Sequence, residues 1–156
     1  MAFKRFRGKT KLMYFKGDTA LQVRDGGLVM LNDSASVGPA RNDSTNDFIL
    51  GIARRSDTTT DSALIPVEVP VESAVEWIID TDSDGGALDS DVGRLVCVDT
   101  TGGTTAGDSC AISVDISDSS SATKAAAVFI TGIISATKVT GVIAHTAWHQ
   151  TYDTAA

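Results

Sequence analysis

Ile65-Pro66-Val67-Glu68-Val69-Pro70-Val71-Glu72 alternates without a break: every odd position is aliphatic and every even position is proline or glutamate. A period of two is the signature of a strand with one buried and one wet face. Glu68, Glu72 and Glu76 are then expected to mark the wet side. Pro66 and Pro70 have no N–H to give to a ladder, which places this strand at a sheet edge or at a bulge. An edge offers unpaired backbone groups to a second chain. Pro66, Val67, Val69 and Pro70 are therefore the candidate oligomer or edge-strand contacts.

Similar short runs lie on both sides of it, at 11–15, 20–24, 28–31, 47–54, 63–69, 71–79, 94–99, 109–116, 125–135 and 138–145, each bounded by Gly, Asp, Ser or Pro. The composition agrees. Of 156 residues, 18 are Thr, 15 Ser, 17 Asp and 14 Gly, whereas Glu occurs only three times, so strand and turn formers outweigh the long helix formers. Ten short strands without a helical pattern predict an all-β barrel or sandwich. Phe48-Ile49-Leu50-Gly51-Ile52-Ala53 resembles Phe129-Ile130-Thr131-Gly132-Ile133-Ile134. Each has Gly at its fourth position, a mark of a kink, bulge or barrel corner, and the two are expected at related places in a closed sheet. Residues 32–46 read as a long polar loop around Gly38-Pro39.

Charge divides the chain unevenly. The first sixteen residues hold Lys4, Arg5, Arg7, Lys9, Lys11 and Lys16 with no acid; the remaining 140 hold seven bases against all twenty acids, for a net −7. Residues 1–16 read as an extended basic N-terminal arm and 17–156 as a single β domain. Such an arm suits docking to an acidic protein surface. The acidic body argues against direct nucleic-acid binding, although Lys and Arg interleaved with Phe3 and Phe6 can pair with phosphate and stack on bases. No run approaches a membrane span and the opening residues lack the apolar core of a signal peptide, so cytoplasmic synthesis without export is the expectation. Cys97 and Cys110 fall on neighbouring strands and read as buried thiols in a reducing compartment.

The sharpest local motif is Asp80-Thr81-Asp82-Ser83-Asp84-Gly85 followed by Asp91. Asp80, Asp82, Asp84 and Asp91 match much of a calcium-loop spacing. The twelfth position is Asp and not Glu, and the flanks read as strands, so an acidic turn is the competing reading. His145 and His149 straddle Trp148 without a neighbouring acid and read as surface or packing residues. There is no G-x-S-x-G elbow, P-loop or G-x-G-x-x-G, and neither an enzyme nor a cofactor is expected.

The order Phe48–Ala53, Ile65–Val71, Val75-Glu76-Trp77, the turn Asp80–Asp91, Asp91-Val92-Gly93-Arg94, Val128–Ile134 and Val139-Thr140-Gly141-Val142 resembles the small capsid decoration (cement) proteins of tailed bacteriophages. The resemblance implies a small β-barrel or β-tulip-like fold, a homo-oligomer with a trimer favoured, and a place on the exterior of the virion. There it would stabilise the shell by bridging neighbouring subunits of the major capsid protein. On that reading Phe3, Lys4, Arg5, Phe6, Arg7, Lys9 and Lys11 are the capsid-binding residues. The alternative is a carbohydrate-binding or adhesin-like β module with Trp77, Trp148, Tyr14 and Tyr152 as stacking platforms.

Overall fold

The structure, a computed structural model, describes residues 3–17, 23–31, 35–40, 48–56, 64–72, 75–81, 86–99, 113–119 and 126–143. The fold is all-β and built of small barrels. Its strands are β1 (Lys4–Arg7), β2 (Thr10–Gly17), β3 (Leu28–Leu31), β4 (Ser36–Pro39), β5 (Phe48–Ala53), β6 (Leu64–Pro70), β7 (Glu76–Thr81), β8 (Leu95–Asp99), β9 (Ser113–Ser119), β10 (Ala126–Ser135) and β11 (Lys138–Ile143). A single 3-10 turn, Asp89–Asp91, is the only helical element among the described residues.

β2, β4, β3, β5 and β6 close into one barrel. β7, β11, β10, β8 and β9 close into a second, because β7 also pairs with β9, and β1 is added to β7. The two rings have the same connectivity. In each, the first and third strands pair in parallel and every other pairing is antiparallel. The register repeats as well. Leu28 opposes Ile52 and Val29 opposes Gly51, as Leu95 opposes Phe129 and Val96 opposes Val128. Each ladder then skips one residue, Leu50 in the first barrel and Ala127 in the second, so even the bulge is duplicated. Lys16 meets Ser36 as Asp80 meets Ser113, and Leu31 meets Val37 as Val98 meets Val114.

These pairings equate Gly26-Gly27-Leu28-Val29-Met30-Leu31 with Gly93-Arg94-Leu95-Val96-Cys97-Val98, and Ser36-Val37 with Ser113-Val114. Gly26 and Gly93 hold the turn ahead of the second strand of each ring at φ of 79° and 88°. A side chain at φ near +80° meets its own backbone, so both turns select glycine. The chain is thus one five-stranded unit built twice.

Two apolar clusters hold the fold. One joins Val23, Val29, Val37, Leu50, Ala53, Ile65, Val67 and Val69 within the first barrel. The other gathers Val75, Trp77, Ile79, Val96, Val98, Val114, Val128, Ile130 and Val139 of the second barrel with Phe3, Leu28, Ala40, Ile49 and Ile52. β5 therefore sends Leu50 and Ala53 to one cluster and Ile49 and Ile52 to the other, and the barrels share apolar packing.

Several expectations need correction. The extended arm over residues 1–16 is not what its described residues form. Lys4–Arg7 is a ladder strand on β7, with Lys4 opposite Ile78 and Arg5 opposite Trp77. The expected boundary at residue 17 falls inside β2, whose ladder with β6 runs from Thr10 to Lys16. Phe3 is the physical reason: its ring is 0% exposed, in the shared cluster. Pro66, Val67, Val69 and Pro70 do not form an edge, since β6 is paired with β2 on one side and β5 on the other. The prolines fit because the N–H of Val71 donates to the carbonyl of Lys9, which fixes the alternation and leaves Pro66 and Pro70 at positions that make no bond to β2. Towards β5, Pro66 needs only to accept from the N–H of Arg54. The expected loop at 32–46 contains β4, a buried strand; its brevity and Gly38-Pro39 hid it. Val71 and Glu72 form a bend, and β7 starts at Glu76.

Candidate binding surface

Residues 3–17 supply β1 on the second barrel and β2 in the first, and what their basic groups touch decides what remains free for a partner. Glu68 is the hub. Its Oε1 accepts from Thr10 Oγ1 at 2.7 Å and lies 3.5 Å from Arg5 Nε, while its Oε2 accepts from Arg54 Nε at 2.6 Å. Arg54 also donates to the backbone carbonyl of Phe3 at 3.2 Å and stands over the Trp77 ring at 6.0 Å. Arg7 Nε pairs with Glu76 Oε2, and the N–H of Lys9 donates to Glu72 Oε1 at 2.7 Å. All three glutamates of the chain thus hold the first ten residues in place. This corrects their reading as a simple wet face: Glu68 and Glu76 are largely buried by the groups they bind.

Arg5 and Arg7 are consequently engaged in ion pairs within the chain, although both side chains stay exposed, and Phe3 belongs to the core. The remaining cations, Lys4, Lys9, Lys11 and Lys16, are exposed and make no ion pair among the described residues. Beside them lie exposed apolar side chains: Phe6, Leu12, Met13 and Tyr14. The strands β1 and β2 therefore present a basic, partly apolar surface on a body whose remaining sequence is acidic. Sequence reading missed Arg54, whose role is visible only once β5 and β6 are paired. Replacing Glu68 by Gln is expected to cost about 2 kcal/mol, since it weakens charge-assisted bonds to two arginines at a half-closed site. Glu72→Gln is expected to cost under about 1 kcal/mol, because its partner is an exposed amide; chemical denaturation of both variants checks the order.

The acidic turn is used locally. Asp91 is buried, and its carboxylate accepts from the Leu88 N–H at 2.9 Å and from Arg94 at 2.7 Å. Arg94 reaches on to the carbonyl of Ile116 at 3.1 Å. The Leu88 amide first, and Arg94 second, hold the Asp91 carboxyl below its usual value of 3.8, against the opposing effect of burial. Both oxygens of Asp91, one of the calcium-loop candidates, are thus engaged by its own turn. Asp80 pairs with Lys138 Nζ at 2.6 Å, and Asp82 and Asp84 lie outside the described residues. A carboxyl whose folded value is lowered stabilises above its unfolded value and loses that contribution as pH falls through the folded one. Asp91→Asn is expected to lower the melting temperature at pH 7 and to flatten the loss of stability below about pH 3.8; melts between pH 2 and 7 measure both.

Of the four candidate stacking platforms, Trp77 is 0% exposed and is corrected to a core residue, whereas Tyr14 is exposed. Trp148 and Tyr152 lie outside the described residues, as do His145, His149 and Cys110; Cys97 is buried in β8. Among the described residues no helix is long and apolar enough to cross a membrane. No family model, curated protein or solved structure matches this chain.

Proposed function

We propose that this is a non-enzymatic structural protein of a bacteriophage virion that binds the capsid exterior and stabilises it by bridging neighbouring subunits of the major capsid protein. The observation that supports this most is the set of exposed lysines that make no ion pair among the described residues, Lys4, Lys9, Lys11 and Lys16, with the exposed Phe6, Leu12, Met13 and Tyr14 on the same two strands. Cations steer the protein to an acidic surface, and apolar neighbours supply contact area once it arrives. A ligand that binds the assembled shell and not its separated subunits stabilises the shell by mass action. A rigid double barrel gives such a staple a fixed shape. In this reading the protein acts as a homo-oligomer, a trimer being favoured, so that several lysine faces engage one shell together.

Co-sedimentation with capsids assembled without the protein tests the reading. The native chain is expected to pellet with them. A variant with Lys4, Lys9, Lys11 and Lys16 all changed to Glu is expected to stay in solution while melting at a similar temperature. Equal pelleting of the two proteins, or none by the native chain, defeats the reading.

A further inference from the structure

The two units differ at one flank of their first strands. Ladder register equates Leu12, Met13 and Tyr14 of β2 with Glu76, Trp77 and Ile78 of β7. On β7 these three residues have β11 on one flank and β1 on the other. On β2 they have β6 on one flank, and on the other, among the described residues, the ladder begins only at Lys16, where β4 joins. Among the described residues, no strand stands on β2 where β1 stands on β7.

The exposure of the two strands follows from this. Trp77 is 0% exposed, whereas its counterpart Met13 is 38% exposed, with Leu12 at 49% and Tyr14 at 63%. The backbone is oriented to match. Because the Val71 N–H bonds the carbonyl of Lys9, and Pro66 and Pro70 stand opposite Tyr14 and Thr10, the odd residues of β2 bond to β6. The N–H and C=O groups of Leu12 and Tyr14 then point to the flank away from β6. Such an edge is a site for strand addition.

Charge identifies the occupant. In the filled position the added strand is basic and the strand it joins carries an acid, Arg7 pairing with Glu76 of β7. At the matching flank of β2 the signs are reversed. β2 carries Lys11 and Lys16 and no acid, and neither lysine makes an ion pair among the described residues. We infer that the Leu12–Tyr14 edge of β2 binds an extended, acid-bearing strand of a partner protein, added to the first barrel as β1 is added to the second. The inference deepens the shell-binding reading and rests on it for the class of partner.

The test uses the full-length protein and a synthetic peptide made by replacing the basic residues of the β1 segment, Ala-Phe-Glu-Glu-Phe-Glu-Gly. The native-sequence peptide Ala-Phe-Lys-Arg-Phe-Arg-Gly serves as control. The acidic peptide at saturation is expected to slow amide hydrogen exchange at Leu12 and Tyr14 at least tenfold. Lys11→Glu combined with Lys16→Glu is expected to weaken it at least tenfold, and the basic peptide to give no protection. Three results overturn the proposal: no protection at Leu12 and Tyr14, equal protection by both peptides, or the same protection from raising the protein concentration alone, which would assign the edge to a second copy of this chain. Capsid co-sedimentation separates the two readings. Head binding without peptide addition removes the strand-addition site and leaves the shell role, while peptide addition without head binding does the reverse.

Discussion

Replacing Phe3 by alanine is expected to destabilise the protein by about 4 kcal/mol, the upper part of the range for deleting a buried aromatic side chain. Its ring is fully enclosed by the cluster that joins the two barrels. Its backbone is tied to the first barrel, where its N–H donates to the carbonyl of Gly26 at 2.8 Å and its own carbonyl accepts from Arg54. The residues that follow it pair with β7 of the second. Loss of the ring therefore unseats a clamp between the units as well as leaving a cavity. For a chain of this size the melting temperature should fall by roughly 10 °C. Tryptophan emission should shift to the red as β1 loosens from the strand that carries Trp77. Deleting residues 1–10 should be more severe, since it also removes the partners of Glu72 and Glu76 and leaves Glu68 with Arg54 alone. A truncated chain that melts like the intact one would show that β1 is dispensable.

The second large effect is expected at Gly51. A Cβ there would stand 2.3 Å from the carbonyl oxygen of Glu68, a backbone atom that cannot rotate aside. Gly51→Ala should force β5 away from β6 in the stretch where Ile52 meets Glu68 and Ala53 meets Val67. The cost is put at about 3 kcal/mol, at the high end for overpacking, because a ladder and not a flexible side chain must yield. The same movement carries Arg54 away from Glu68, so the loss should exceed that of Glu68→Gln in the same denaturation series. The counterpart of Gly51 in the second barrel is Val128, which shows that this close approach belongs to the first barrel and is not a demand of the shared topology.

The strands were legible because their apolar residues recur at a period of two and their boundaries carry turn formers. The likeness of the β5 and β10 segments was also legible, and the two strands do occupy equivalent places in their rings. Its alignment, however, was four residues out of step. Matching glycines set Gly51 against Gly132, whereas the ladders set Gly51 against Val128. The better signal was Gly-x-Leu-Val at residues 26–29 and 93–96, a short match that a search for internal repeats would have found.

The fate of the basic segment was not legible. Phe3 followed by alternating cations has the same pattern whether its apolar face covers a partner or its own core. The choice rests on Val75, Trp77 and Leu28, which are distant in sequence. The prolines of β6 misled for a related reason: a missing N–H rules out one ladder bond on one flank, and sequence does not say which flank needs it. The salt-bridge hub was hidden because Glu68 and Arg54 meet only after two ladders have formed.

The placement of β1 also orders events in time. During synthesis Lys4–Arg7 leaves the ribosome ahead of the other described strands, yet its ladder partner Glu76–Ile78 emerges only after every strand of the first barrel. The five strands that end at Pro70 can close early, because their ladders are complete without later sequence, whereas the leading segment must wait for β7 and for the rest of the cluster that encloses Phe3. Until β7 appears, Lys4–Arg7 has only its ties to the first barrel, through Phe3 and Arg5, and lacks its ladder partner.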